Sequence, residues 1–312
     1  MSTRRPPVET VHESGASPLS TDCRILSELR PVERLLSAGE STALGTFACR
    51  PDQPQFSAES PSTAHCLVFS RTPVWIRHER GSRYVADPTV ATLHNRGRVY
   101  QRWRIVDRGA RCDCIAYADD VVDDVIARFD RRSRKLGDRD PRWFPADAVP
   151  ITSALYARQR RLFDRAASSD QCERDGVDEE AMLLLDAVLS AVHHGGSDPR
   201  PRHAQTKDAI QHVRAVIARA PAVSPSLRGL ARQAEMSPFQ LCRAFSQVCG
   251  ETMTSYRLRL RLLASLERLR AGDPLVDIAF AHGFSSHSHY TAAFKQAFGV
   301  TPTAWRAGIK AV

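Results

Sequence analysis

The 312-residue sequence predicts an α+β chain: a β-rich N-terminal region with helices, built as a small barrel or sandwich, and an all-α C-terminal domain holding two helix-turn-helix units. Three observations carry this expectation. The last eighty-odd residues state nearly the same pattern twice. The basic excess of the chain is confined to residues 202–312. Residues 41–118 read as short apolar runs separated by turn residues.

The repeat lies within Leu227–Arg306. Leu230-Ala231 recurs 48 residues on as Ile278-Ala279, and Phe245, Gly250, Thr252, Tyr256 and Arg257 recur 49 on as Phe294, Gly299, Thr301, Trp305 and Arg306. The change of offset places one extra residue near Ser285-Ser286, so Ser286 is the counterpart of Ser237. A repeat of this length is a duplicated supersecondary unit rather than a solenoid. Each copy reads as helix, tight turn, helix, over 227–248 and 275–298. In the first, Glu235-Met236 is the turn, Ser237 the N-cap, Pro238 the first helical residue and Gly250 the left-handed terminator. In the second, Asp273 is expected to cap and Pro274 to open the first helix, Gly283 to end it, and Ser286 to cap the next. The buried stripes are Leu241, Phe245 and Val248, then Tyr290, Phe294 and Ala297.

Two helices on a tight turn form a DNA-binding unit when the second is presented outward. The charge agrees. From Arg202 to the end the chain carries 15 Lys and Arg against 6 Asp and Glu, an excess of nine equal to the net charge of the whole chain. Residues 1–201 hold 29 of each and are neutral. A basic excess concentrated on the duplicated unit is what phosphate binding requires. On the first outward helix the exposed positions are Pro238, Phe239, Cys242, Arg243 and Ser246, flanked by Gln240 and Gln247. Arg243 suits guanine and Phe239 a thymine methyl. On the second they are His287, Ser288, Thr291, Ala292 and Lys295, with His289 beside them. The helix starts at Ser237 and Ser286 suit phosphates.

The combination of Leu230-Ala231, Ser237, Phe245, Gly250 with Tyr256, Arg261-Leu262, Ile278-Ala279, Gly283-Phe284, Phe294-Lys295, Phe298-Gly299 and Thr301-Pro302 with Arg306 resembles the AraC/XylS-type DNA-binding domain. The resemblance covers about the last third of the chain. It implies seven helices, with the two units bridged by one long helix that Thr252–Leu269 fits. It also implies a one-component, sequence-specific transcription regulator, an activator by expectation, that binds promoter or operator DNA, works with RNA polymerase, answers a small-molecule effector and pairs as a homodimer. Ala292 departs from the long polar or basic residue common at that position in the family.

Upstream, the expected strands are His65–Ser70, Val74–Glu79, Arg83–Ala86, Val90–His94, Val99–Val106 and Cys114–Tyr117. The same resemblance implies a cupin-like sensor domain over 21–195. Small barrels hold ligands in their mouths or interiors, and Trp75, His78, Tyr84, His94, Tyr100 and Trp103 are the candidate ligand-binding residues. Beyond Asp119 helices are expected at Val121–Arg134, Thr152–Ala167 and Glu179–His194. The last two should form an antiparallel pair whose apolar faces bury on the barrel or on a second subunit, the dimer contact that the family implies. Arg131–Lys135 is a basic cluster read as a solvated helix end. A Gly/Pro-rich linker follows at 196–203, and 204–310 is the DNA-binding domain.

The first twenty residues read as a frayed tail without an apolar signal segment, and no run of 18 apolar residues exists. A cytoplasmic location is therefore expected. The eight cysteines show no C-x₂-C spacing. Cys112 and Cys114 should share one face of a strand, as two small apolar residues or, with His65 or His94, as a metal or redox site. No catalytic residue, metal or cofactor is expected. The alternative class is an enzyme carrying the same DNA-binding domain, either DNA-repair or metal-dependent. An alkyl-transfer repair domain would set its reactive cysteine in Pro-Cys-His-Arg, whereas Cys66 lies in Ala-His-Cys-Leu. A metal-dependent cupin would carry an H-x-H cluster, and the barrel region has none.

Overall fold

A computed structural model describes residues 34–79, 81–130, 144–170, 176–194, 204–223 and 225–310. The expected N-terminal tail, the basic cluster at 131–135, the linker at 196–203, Cys23 and Cys172 lie outside them.

Among the described residues ten strands form two antiparallel sheets. The strands are β1 (Arg34–Ala38), β2 (Thr42–Cys49), β3 (Ser60–Pro61), β4 (His65–Ser70), β5 (Val74–His78), β6 (Tyr84–Ala86), β7 (Val90–His94), β8 (Val99–Arg104), β9 (Ala110–Tyr117) and β10 (Ala148–Pro150). One sheet runs β1-β2-β9-β4-β7-β10, the other β3-β8-β5-β6. All six expected strands are present, with β9 starting four residues earlier than expected. Strands β1, β2, β3 and β10 are additional. The interior strand β7, between β4 and β10, is buried at all five positions, as a strand covered on both faces should be.

Helix α1 (Asp119–Asp130) follows β9 and starts on two aspartates, which suit a helix N-terminus. Helices α2 (Ser153–Ala166) and α3 (Val177–His194) pack on each other as expected. The Thr152 hydroxyl caps α2 by accepting from the Leu155 N–H at 3.1 Å. The apolar faces of the pair are covered by the chain itself. Leu184, Leu185, Val188 and Leu189 of α3 are fully buried in a core shared with the six-stranded sheet. Leu162 and Phe163 of α2 belong to the same core, which continues into the C-terminal domain through Leu262, Leu266, Tyr290, Phe294 and Trp305. Of the two coverings left open for these faces, the barrel or a second subunit, the described residues show the first.

Among the described residues the C-terminal region has seven α-helices: α4 (Ala204–Arg219), α5 (Leu227–Gln233), α6 (Pro238–Cys249), α7 (Met253–Ala271), α8 (Leu275–Ala281), α9 (His287–Phe298) and α10 (Pro302–Lys310). Helices α5–α6 and α8–α9 are the two helix-turn-helix units. The bridge α7 has 19 residues, about 28 Å at ~1.5 Å per residue.

The duplication extends to single hydrogen bonds. Ser237 and Ser286 cap α6 and α9, and Thr252 and Thr301 accept from the N–H three residues on. The turns close alike, Met236 N–H to Ala231 O and Phe284 N–H to Ala279 O, both at 3.0 Å. Phe245 meets Tyr256 and Phe294 meets Trp305 at ring-centroid distances of 5.6 and 6.0 Å. Arg257 and Arg306 each donate to the carbonyl just ahead of their unit, that of Pro225 and of Asp273. One departure concerns the left-handed turn position: Gly283 has φ +76, whereas its counterpart Glu235 adopts φ +54 with a side chain. Another concerns Asp273. It makes no cap; Pro274 holds the N-cap position without a side-chain bond, and the Asp273 carboxylate instead pairs with Arg268 at 2.5 Å.

The two units differ in what they pack on. The first has its own core with α4, built on Ile210, Val213, Ile217, Leu241, Phe245 and Tyr256. The second shares the sandwich's core. Buried charges pin the seam. Fully buried Asp87 accepts from Arg214 at 2.9 Å and the Tyr256 hydroxyl at 2.6 Å, while its other oxygen takes the Thr89 N–H and hydroxyl. Asp113, also fully buried, accepts from Gln159 and Arg160 at 2.7 and 2.6 Å and pairs with Arg71 at 2.5 Å. Arg160 then reaches Glu267 of α7 at 3.1 Å. Burial works against the Arg160 charge, but Asp113 beside it holds the guanidinium protonated.

Candidate nucleic-acid interface

The first outward helix, α6, owes its start to a reciprocal cap. The Ser237 hydroxyl accepts from the Gln240 N–H, and the Gln240 amide oxygen accepts from the Ser237 N–H at 3.0 Å. Gln240 therefore has its acceptor committed to the cap rather than free for adenine. Leu241 and Phe245 are fully buried. By helical periodicity the other side is left outward, and Phe239 (74% exposed), Cys242, Arg243, Ser246 and Gln247 are exposed. A phenyl ring exposed to that degree at a helix start has no folding rationale and suits contact with base methyls.

On α9, Tyr290 and Phe294 face inward, and Ser288, His289, Ala292 and Lys295 are exposed, with His287 and Thr291 half-buried. His289 bonds the Ser285 hydroxyl through Nδ1 at 3.0 Å, and His287 Nε2 lies 3.4 Å from the Thr291 hydroxyl. The side chains of the second unit are shorter and partly paired with one another.

The basic excess is mostly not a DNA footprint. Of the 13 described Lys and Arg side chains from residue 204 on, eight are held inside the molecule. Arg214 pairs with Asp87, and Arg219 donates to the Ile105 carbonyl. Arg259 donates to the Ile151 carbonyl and Arg261 to those of Pro221, Ala222 and Gly283. Arg268 and Arg270 pair with Asp273 and Asp164. Arg257 and Arg306 bind the carbonyls named above. Lys207, Arg228, Arg232, Arg243 and Lys295 remain exposed. Net charge marks the region of the two helix-turn-helix units but overstates what that region offers to phosphates.

The sandwich encloses a second candidate site, a cavity of about 90 Å³ between the sheets. Of the six ligand candidates, His94 and Tyr100 line it. Trp75 and Trp103 do not. They are cross-strand partners on the opposite face of the small sheet, each under an arginine, Arg83 over Trp75 at 4.7 Å and Arg77 over Trp103 at 5.4 Å. Strand alternation explains this, since Val74 and Ile76 take the cavity side. His78 packs on His94 at 4.9 Å and sits 3.2 Å from Asp147, and Tyr84 donates to the Asp147 carbonyl, so both stand outside the lining. Sequence reasoning missed Phe47, Val68, Ser70 and Arg102, which do line the cavity.

Cys112 and Cys114 share one face, as expected, with sulfurs 3.7 Å apart, and with Cys66 they line the cavity. Burial pushes the Cys66 thiol up to about 12, and the Cys112 hydrogen bond and burial hold Cys114 well above the ordinary thiol value. Thiols so protonated act as apolar lining, not as nucleophiles. His65 turns toward Asp119 and Phe144 rather than toward these cysteines. Among the described residues no three His, Cys, Asp or Glu side chains are grouped to hold a metal ion.

Residues 230–308 match a family model described as a helix-turn-helix domain. The HTH-type transcriptional activator RhaR of Pectobacterium carotovorum is 31% identical over 130 residues, 41% of this chain and 44% of that protein. The right origin-binding protein of Escherichia coli is 37% identical over 82 residues, 26% and 28% of the two chains. The chain thus aligns with less than half the length of these relatives. Among solved structures, ToxT from Vibrio cholerae aligns over 86% of this chain and 98% of its own, at 12% identity and a TM-score of 0.36. The C-terminal region of this chain is a helix-turn-helix domain of the AraC type, the kind carried by transcription regulators. Among the described residues no helix is long and apolar enough to cross a membrane.

Proposed function

We propose that the protein is a sequence-specific, DNA-binding transcription regulator, an activator, whose sandwich domain senses a small molecule. The observation that carries this reading is the pair of serine-capped helices α6 and α9, which turn Phe239, Arg243 and Ser246, and Ser288, Thr291 and Lys295, away from their buried stripes. Arg243 is the strongest base-reading candidate because it is exposed and unpaired. Lys295, Arg228 and Arg232 serve phosphates. The partners are promoter DNA, RNA polymerase and a second copy of the chain, which would have to use a surface other than the α2–α3 apolar face.

The effector is a small, largely apolar molecule in the inter-sheet cavity, held at its polar end by Tyr100 and Arg102. His94 is kept neutral there by burial and by His78 and Arg102. Because the second helix-turn-helix unit shares its core with the sandwich, occupancy of the cavity has a route to the orientation of that unit.

Fluorescence-anisotropy titration of the full chain on duplex DNA over a range of salt tests the reading. Four or five exposed cations predict a log K against log salt slope of about −4, at ~0.9 per phosphate. No binding would overturn the regulator reading. A slope near −10 would overturn the claim that most of the arginines are internal.

A further inference from the structure

The seam between the sandwich and the C-terminal domain holds a cleft of about 620 Å³, within the size range of small-molecule sites. One wall is formed by the β4–β5 and β8–β9 turns, with Arg108 and Arg111. The other is formed by the end of α4, by α7 and by the residues after α8, with Arg219, Arg261 and His282. Six arginines and one histidine line it against two carboxylates, Asp107 and Glu267.

Those carboxylates are already engaged. Glu267 faces Arg160 and Arg71, and Asp107 lies 3.8 Å from Arg104. Arg71 and Arg268 have their own partners in Asp113 and Asp273. Arg108, Arg111, Arg219 and Arg261 have no carboxylate within 4.0 Å among the described residues. Arg219 and Arg261 donate to main-chain carbonyls, which orient a guanidinium without neutralising it. Arg108 and Arg111 are exposed and make no side-chain hydrogen bond. Like charges gathered in a concave site with low-dielectric walls focus a positive potential. His282 adds a buried Nε2 without a partner. Val106, Pro221 and Leu260 supply apolar wall for an organic body.

We propose that this cleft binds an organic polyphosphate of the nucleoside di- or triphosphate class, with its phosphates shared between Arg108 and Arg111 of the sandwich and the arginines of the C-terminal domain. Guanidinium forks match phosphate oxygens in pairs. A ligand held from both walls favours the docked arrangement of the two domains by its differential affinity for it. The site is distinct from the apolar cavity, although Thr72 and Arg111 border both, and it does not depend on the DNA-binding reading.

The test is calorimetric titration of the full chain, without DNA and at fixed ionic strength, with ATP, GTP, inorganic tripolyphosphate and AMP. The Arg108→Ala/Arg111→Ala double variant removes exposed, unpaired side chains, so it should fold as wild type; circular dichroism checks this. Arg50→Ala, next to Asp52 and outside the cleft lining, is the charge control. ATP or GTP should bind more tightly than AMP, the double variant should weaken that binding at least tenfold, and the control should leave it unchanged. No binding by any of the four, or equal binding by the double variant, would overturn the proposal. Tripolyphosphate binding as tightly as ATP would overturn its organic part. If none of the four binds and the double variant instead loses DNA affinity, the cleft carries the DNA backbone and the proposal fails.

Discussion

The four left-handed glycines of the C-terminal domain offer an internal calibration of one turn. Gly250, Gly272, Gly283 and Gly299 have φ between +72 and +86. Alanine at any of them suffers the left-handed penalty, ~1–2 kcal/mol. At Gly250, Gly272 and Gly299 an added Cβ would have no neighbour within 4 Å. At Gly283 it would lie 3.1 Å from Ala222 Cα and O and 3.2 Å from Ala222 Cβ, inside the ~3.5–4.0 Å of a comfortable carbon contact. Ala222 cannot yield freely. Its carbonyl and those of Pro221 and Gly283 hold the Arg261 guanidinium at 2.8–3.1 Å. We expect Gly272→Ala to cost about 1 kcal/mol and Gly283→Ala about 2–3, with Gly283→Val worse because a β-branched residue tolerates positive φ least. Urea unfolding followed by circular dichroism and tryptophan fluorescence measures the difference. Equal costs for Gly272→Ala and Gly283→Ala would refute the claim that the second turn is set by close approach as well as by backbone sign.

Further consequences are as direct. Glu235→Gly should be neutral or stabilising by up to about 1 kcal/mol, because the residue adopts φ +54 with a Cβ; a clear loss in the same urea assay would show that the side chain has a role of its own. Asp87→Ala strands the buried Arg214 charge and should cost about 3–5 kcal/mol in the same urea assay; near-wild-type stability would mean the seam is not held there. His282 is held down to about 4 by burial and by Arg268 and Arg108. A histidine whose folded value is depressed stays neutral while the unfolded chain takes up a proton, so stability should fall as pH drops from about 6.5 toward 4. His282→Gln should flatten that limb, and an unchanged pH profile in the variant would contradict the assignment.

The C-terminal domain was legible because its signals are local. Caps three residues from their acceptors, terminating glycines and i, i+4 stripes write each helix into a short window, and the duplication states each signal twice. Asp273 misled although its partner is local: Arg268, five residues upstream, draws the carboxylate away from the helix start. Strand β2, TALGTFAC, escaped because its first four positions are all buried, which erases the two-residue alternation that marks a half-buried strand. Alternation also does not say which face of β5 and β8 points inward, which is why Trp75 and Trp103 read from sequence as pocket residues. The charge excess misled for a non-local reason: Arg214 meets Asp87 across 127 residues, and composition carries no record of such partners.

The most direct test of the account is selection of bound DNA from a random pool at fixed salt with the wild-type chain, Arg243→Ala and Thr291→Ala. Two enriched half-sites centred roughly one helical turn, ~34 Å, apart are expected, as reading helices bridged by α7 require. Arg243→Ala should erase preference at one or two G·C pairs, worth ~1–3 kcal/mol of discrimination, and Thr291→Ala should change less. No enriched sequence from the wild type, or a larger loss of information from Thr291→Ala than from Arg243→Ala, would contradict it.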